Sequence, residues 1–348
     1  MSKSMDKRPP IQLSILDLAT IYNNETARQT LKHSTDLVQL ADRLGYTRYW
    51  FAEHHNTKFQ VSSSPDLLAA HAAAHTNRIR VGSGGVMLPN HSPLKVVENF
   101  SLLESLHPGR IDLGIGRAPG TDGMTALALR RSREAVTTYD FPEQFAELLA
   151  FFTNNFPDEH PFSKISATAE ESIPDLFMLG SSDGGMQFAA EYGLGFAFAA
   201  HINPKLAIPM LRTYRERFKP SQFLSKPKGI LALIVVCADT EERARQLALP
   251  AQLQWARWGT GNYKLPPPSL EDAISHSFST AEDAVTKEND GRFVIGTPSQ
   301  VKEQLESLAE EAMVDEIMIL NMIPDTQARE QSFHLIAKAF QLARNLPK

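Results

Sequence analysis

Three side chains that can hold or move a proton, Glu53, His54 and His55, follow a short apolar segment typical of a buried strand. Histidine exchanges protons near neutral pH because its unperturbed pKa is about 6.5. In a parallel α/β barrel, residues at the carboxyl ends of strands face the active site. This pattern suits general acid or base chemistry, although one core histidine and one surface histidine would also account for it.

Glycines mark two further segments with the pattern of buried strands. Ser83-Gly84-Gly85 lies within the first, Gly114-Ile115-Gly116 ends the second, and Arg117 follows directly. Glycine weakens a strand unless something must approach its backbone closely. On neighbouring strands these glycines would form a flat floor without side chains beside a guanidinium. Each feature alone suits packing or a solvated arginine, but together they favour a planar ring system that carries a phosphate.

A second candidate for phosphate binding is the strand-to-helix turn Leu179–Gly185. It supplies the hydroxyls of Ser181 and Ser182 and, through Gly184 and Gly185, unobstructed N–H groups at the positive end of a helix. A capped helix start without a ligand is the alternative interpretation.

The sequence gives weaker support for a metal site or for a nucleotide-binding motif. His71 and His75 have the i,i+4 spacing of metal ligands, but H-E-x-x-H is not formed and no third ligand is obvious, so we predict no metal site. The glycines at 114, 116 and 120 do not match G-x-G-x-x-G, and a phosphate-binding G-x-x-x-x-G-K-[ST] motif is absent from the sequence.

The elements that must position these residues alternate between strand and helix along the chain. Eight segments with strand character begin at Leu13, Thr47, Val81, Ile111, Leu176, Gly195, Ile230 and Glu316. Repeated strand–helix units predict a parallel sheet with right-handed crossovers. Eight of them predict a closed (β/α)8 barrel, a TIM barrel with loop insertions, and a doubly wound sheet is the alternative. We find no linker composition, so residues 1–348 are predicted to be one domain.

One long segment, Gly259–Arg292, departs from this alternation. It contains three consecutive prolines and shows no sustained periodicity. Segments of this length without regular structure are typically lids or binding loops. We therefore predict a mobile lid or insertion.

Composition limits the location and the partners of the protein. Apolar residues make up 42% of the 348, and the net charge of -5 does not favour nucleic acid. Met1–Pro10 lacks an apolar stretch, so we expect no signal peptide, and no run reaches the ~20 apolar residues of a membrane span. Cys237, the single cysteine, lies in an apolar run and is predicted to be buried and inert. These features fit the cytoplasm.

Five motifs together resemble the bacterial luciferase-like flavin-dependent monooxygenases, nearest to their single-chain, non-luminescent branch. They are LSILDLA (Leu13–Ala19), YWFAEHHN (Tyr49–Asn56), the continuous segment Arg78–Asp122, FMLGSSDGG (Phe177–Gly185) and GFAFAAHI (Gly195–Ile202). FVIGTP and VDEIMIL are weaker matches.

The resemblance implies a (β/α)8 barrel that binds FMN, with the phosphate between Arg117 and the Ser181–Gly185 backbone. Ser182 matches the family better than Ser181, which stands where luciferase carries an acid. The ring would lie over Gly84, Gly85 and Gly116, with a cis peptide bond between Gly84 and Gly85. His54 would be the active-site histidine, with Glu53 and His55 in support.

The implied reaction uses reduced FMN, delivered by a separate flavin reductase, and O2. A C4a-peroxyflavin would then oxygenate a small organic substrate in a closed, dry pocket. We also expect a homodimer. A non-catalytic flavin-binding relative and a barrel metallohydrolase are the alternative functions, and the deazaflavin F420 is the alternative cofactor.

Overall fold

A computed structural model describes residues 10–168, 172–288 and 291–345. The segment Met1–Pro10, in which we expect no signal peptide, therefore lies outside the described residues except for Pro10. Within these ranges the chain forms nine strands: β1 Gln12–Asp17, β2 Arg48–Phe51, β3 Arg80–Met87, β4 Ile111–Gly116, β5 Asp175–Gly180, β6 Gly195–Ala199, β7 Gly229–Cys237, β8 Phe293–Gly296 and β9 Glu316–Leu320.

Thirteen α-helices lie in the described part of the chain. They are α1 Ala27–Leu44, α2 Pro65–Ala74, α3 Pro93–Leu106, α4 Gly123–Arg130, α5 Arg133–Thr137, α6 Phe141–Thr153, α7 Asp183–Tyr192, α8 Pro204–Arg217, α9 Glu241–Gly259, α10 Leu270–Ser275, α11 Thr280–Glu288, α12 Pro298–Ala312 and α13 Thr326–Phe340. None of the described helices is long and apolar enough to cross a membrane.

The strands form a closed parallel barrel in the order β1-β2-β3-β4-β5-β6-β7-β9, with β9 paired back to β1. The predicted (β/α)8 architecture is confirmed, and its eight strands are the eight predicted segments. The ninth strand, β8, is an addition. It pairs with the upper half of β7 (Ile234–Cys237), whereas β9 pairs with the lower half (Ile230–Ile234).

Side chains fill the lower interior of the barrel and leave its upper end open. Near the amino ends of the strands, the buried Arg48 guanidinium bonds Asp112 at 2.7 Å and Glu316 at 2.6 Å. Above it lies an apolar layer that includes Trp50 and Phe177, whose rings are 5.0 Å apart. Because charge and aromatic bulk close the lower end, the remaining space opens at the carboxyl ends of the strands.

The predicted lid segment, Gly259–Arg292, is more regular than the sequence indicates. It contains α10 and α11, which were not predicted, and both pack against α9. Ser269 caps α10 through a capping box with Asp272. Positions 289 and 290 of this segment lie outside the described residues, and its mobility stays a prediction.

Candidate active site

A cavity of about 440 Å³ lies at the carboxyl ends of the barrel strands. Most of the residues that line it are apolar, with Leu16, Leu179 and Met318 among them, and a smaller number are polar. Apolar concave sites with a few convergent polar groups are typical of small-molecule binding. Six predicted site residues line this one cavity: His54, Gly84, Gly116, Arg117, Ser181 and Ser182.

His54 stands at the wall of the cavity, just beyond β2. Its backbone N–H donates to the Ser62 carbonyl at 2.9 Å, which fixes the main chain. Its Nδ1 atom is buried and has no hydrogen-bond partner among the described residues. Burial lowers the pKa of the imidazole against the opposing charge of Glu53, so His54 is neutral near pH 7 and can accept a proton.

Glu53 holds the surrounding loops together. Its Oε1 atom lies 2.8 Å from the Nε2 atoms of both His55 and His91, and Oε2 accepts the Met87 N–H at 3.0 Å. Burial raises the pKa of the carboxyl, but the bonds from His91 and His55 outweigh it and lower the pKa overall. Burial likewise opposes a charge on His91, but the bond to Glu53 raises its pKa. Glu53 is therefore a buried carboxylate that ties the β2 and β3 ends together beside His54.

Arg117 follows β4 and lines the cavity, and no hydrogen bond or ion pair joins its side chain to another described residue. Its guanidinium lies against the backbone of Gly184, where a Cβ atom would come within 2.3 Å of Nη1. A half-buried cation without a protein partner is a ready site for an anionic group.

The start of α7 faces the same side of the cavity. Ser182 is its N-cap residue, and its hydroxyl makes no capping bond to the helix. The Ser181 carbonyl is held by Asn203 Nδ2 at 3.1 Å. Two hydroxyls, a helix N-terminus and the guanidinium of Arg117 thus converge, which is the chemistry that binds phosphate.

The glycines divide into two roles. Gly84 and Gly116 line the cavity, whereas Gly85, Gly184 and Gly185 are not among the residues that line it. A Cβ at Gly85 would meet Leu179 Cδ1 at 2.5 Å, and one at Gly185 would meet the Leu179 carbonyl oxygen at 2.6 Å. Gly85 and Gly185 thus allow close packing of β3 and α7 on their neighbours, and the contact of their backbone with a ligand stays a prediction. Gly184 makes room for Arg117.

Two expectations about the backbone and the cysteine are confirmed. The peptide bond between Gly84 and Gly85 is cis. Cys237 is buried, and burial raises the pKa of its thiol to about 12.

A sequence model of luciferase-like monooxygenases matches residues 11–316 of this chain. The chain belongs to the luciferase-like monooxygenase family. It is 33% identical to an N-acetyl-S-alkylcysteine monooxygenase of Bacillus subtilis over 96% of this chain and 99% of that protein.

Solved structures agree with this membership. The crystal structure of apo-MsnO8 superposes with a TM-score of 0.85 at 33% identity, covering 97% of this chain and 99% of that one. The oxygenating constituent of a 3,6-diketocamphane monooxygenase from a Pseudomonas putida plasmid, solved in complex with FMN, superposes with a TM-score of 0.70. It is 20% identical and covers 98% of this chain and 100% of that chain, so it supports the fold.

Within this luciferase-like site, His201 is a residue that was not predicted from the sequence. It follows β6, lines the cavity, and is 8% exposed, with Nδ1 3.4 Å from the Ala232 carbonyl oxygen. Burial, opposed by that contact and reinforced by Arg292 and His54, lowers the pKa of the imidazole to about 4. Its position at a strand end is the signal that could have identified it, because the same rule selected His54.

The weak metal candidate lies elsewhere. His71 and His75 are exposed on α2, with ring centroids 4.1 Å apart, and neither lines the cavity. Within residues 10–168, 172–288 and 291–345, no group of three or more His, Cys, Asp or Glu side chains could hold a metal ion.

Proposed function

We propose that this protein is an FMN-dependent monooxygenase that uses reduced flavin and O2 to oxygenate a small organic substrate. One observation carries the proposal: a single apolar cavity contains a neutral, unpaired imidazole at His54 and, on its rim, an unpaired guanidinium at Arg117. A proton-transfer group and an anion site in one cavity suit a phosphorylated ring cofactor whose reaction requires proton control.

The residues of the cavity fit FMN. Arg117, Ser181 and Ser182 would hold the phosphate, together with backbone N–H groups at Gly184 and Gly185. The ring would lie on the glycine floor at Gly84 and Gly116, between apolar walls. When bound, reduced FMN supplies the electrons that activate O2 at its C4a atom.

The chain's own residues would control protons and water. Neutral His54 would exchange a proton at the reacting centre, with its loop fixed by the Glu53 network. The apolar walls keep water from the reacting atoms, which favours oxygen transfer to substrate over loss of the oxygen as hydrogen peroxide. The family relative named for N-acetyl-S-alkylcysteine supports a small organic molecule as the substrate class.

An anaerobic titration followed by an oxygen pulse tests this proposal. Reduced FMN and reduced F420 are titrated separately into the protein, and we expect tighter binding of FMN. After the pulse, oxygen uptake should precede the return of the oxidised-flavin absorbance, because the protein protects the activated oxygen. Simultaneous traces would favour the non-catalytic flavin-binding alternative, and tighter binding of F420 would favour that cofactor.

A separate flavin reductase is proposed as the source of reduced FMN. The test adds a purified NADH-dependent flavin reductase, with NADH and FMN, to the protein. Oxygen uptake that depends on the reductase supports this partner. If the protein oxidises NADH at the same rate without it, the proposed division of labour is wrong.

We also propose a homodimer through α2 and α3. Leu67, Leu102 and Leu106 are more than 60% exposed on these helices, beside the Asn99–Asp66 hydrogen bond that joins them. An exposed apolar patch of this kind is typical of an interface. Light scattering should report a dimer for the protein and a monomer for Leu102→Asp; a monomeric wild type contradicts the proposal.

A further inference from the structure

A second, smaller cavity of about 100 Å³ lies beside the main one. It is formed where the residues after β1 and β2 meet α9 and the first part of the predicted lid segment. Its wall includes four aromatic side chains: Tyr22, Phe59, Trp258 and Tyr263. None of the described residues that line it carries a formal charge at neutral pH. The cavity therefore suits an uncharged group with apolar flanks.

One layer of side chains separates the two cavities. Leu18 lines the main cavity and packs in the same cluster as Met322 and Trp258, which line the second. A substrate whose reacting atom lies in the main cavity could thus extend its distal part past Leu18.

Gln254 is a buried polar residue of the second cavity. The side chain is 3% exposed and lines the cavity. Its Oε1 atom is buried and has no hydrogen-bond partner among the described residues. A buried amide oxygen without a partner costs free energy, and such groups in native proteins are usually satisfied by a bound molecule or ordered water.

We propose that this cavity binds a secondary amide group of the substrate through Gln254. This inference rests on the proposed oxygenation function, because that function is the reason for a substrate to bind in the barrel. A secondary amide is trans, so its N–H and C=O point in opposite directions and one glutamine pairs with only one of them. The substrate N–H donates to Gln254 Oε1, which pairs the atom that lacks a partner. An ester offers the carbonyl alone and leaves Oε1 unpaired. A carboxylate or an ammonium group would lack a charged partner in this wall.

Binding of two matched probes to flavin-free protein tests the proposal. The probes are N-butylacetamide and butyl acetate, which differ mainly in the N–H group, and binding is followed by ligand-observed NMR titration. We expect the wild type to bind the amide about three- to tenfold more tightly, the range for one net hydrogen bond. Gln254→Met, which keeps the length of the side chain without its amide, should bind both probes equally.

Gln60→Met is the matched control. Gln60 lines the same cavity but is half-buried, and its substitution should leave the preference for the amide intact. Thermal melting of Gln254→Met should show no loss of stability, because no protein hydrogen bond is removed.

A wild type that binds the two probes equally overturns the proposal, whether or not any variant folds. So does a Gln254→Met protein that keeps the amide preference. Because neither flavin nor oxygen is present, failure of oxygenation and failure of amide recognition are separate results.

Discussion

Gly184→Ala should weaken the binding of reduced FMN without weakening the fold. The added Cβ would lie 2.3, 2.4 and 2.5 Å from Nη1, Nη2 and Cζ of Arg117, whereas ordinary contact begins at 3.4 Å. The guanidinium must therefore move by at least 3.4 − 2.3 = 1.1 Å. A charge-assisted hydrogen bond of about 2.7–2.9 Å does not survive that displacement unless the side chain finds a new approach.

The size of the effect follows from the bond that is lost. A hydrogen bond to a charged group contributes about 1.5–3 kcal/mol, which corresponds to roughly ten- to a hundredfold in affinity. Arg117→Ala should show this full range, and Gly184→Ala should show its lower end, about tenfold, because a flexible arginine can partly compensate. Alanine favours a helix over glycine, so the melting temperature of Gly184→Ala should not fall. Fluorescence titration measures the affinity for FMN, and thermal melting measures the melting temperature.

Two further glycine substitutions distinguish the displacement of Arg117 from a general effect of an added methyl group. Gly123→Ala adds the same methyl group at the start of α4, where no atom lies within 4 Å, and should change neither quantity. Gly185→Ala would place a Cβ 2.6 Å from the Leu179 carbonyl oxygen and should cost about 1–3 kcal/mol of stability. Unchanged FMN affinity in both Arg117→Ala and Gly184→Ala would refute the assignment of the phosphate to Arg117.

Three further predictions concern the histidines and the lid. His54→Ala should reduce turnover by about 10²–10⁴-fold with FMN affinity and melting temperature nearly unchanged, because Nδ1 has no described partner to lose; normal turnover would contradict the catalytic role. The pKa of His201 is about 4 in the folded chain and about 6.5 in the unfolded chain, which binds more protons between these values. The free energy of unfolding should therefore fall by about 3 kcal/mol as the pH drops from 6.5 to 4. Urea unfolding of His201→Gln should show a smaller fall over the same pH range. The same fall in both proteins would contradict this prediction. Without ligand, residues 259–288 should exchange amide hydrogens faster than the barrel strands, and equal protection would argue against a mobile lid.

The sequence predicts most of this fold because the barrel has a simple local signal. Strands buried on both faces read as short apolar segments, and each is followed by a helix-forming segment, so eight units can be counted directly. The ninth strand, Phe293–Gly296, escapes this reasoning because it is only four residues long and pairs with half of β7. The helices α10 and α11 are not predicted because half of α10 and most of α11 consist of polar residues. Their regular structure depends on capping and on packing against α9.

The candidate site is predictable where chemistry coincides with strand ends. His54 and Arg117 each follow a strand directly, so the barrel rule alone brings them to one edge. The roles of the glycines are less predictable, because a bare backbone serves a ligand and a neighbouring side chain equally well. Only the three-dimensional structure distinguishes Gly84, which lines the cavity, from Gly184, which makes room for Arg117. Gln254 lies inside a long helix, and nothing in its sequence neighbourhood indicates that its amide lacks a partner.

The two cavities are formed by different parts of the structure. Arg117 and Ser182, which would hold the cofactor phosphate, follow β4 and β5, where neighbouring backbones approach closely enough to require glycine. Much of the second cavity comes instead from α9 and the segment Gly259–Pro268, which lie outside the barrel wall. A substitution at Arg117 or Gly184 alters the proposed phosphate site, whereas one at Gln254 or Tyr263 alters the wall of the second cavity. We therefore expect substrate preference in this protein to change through α9 and its following loop, with the flavin site left intact.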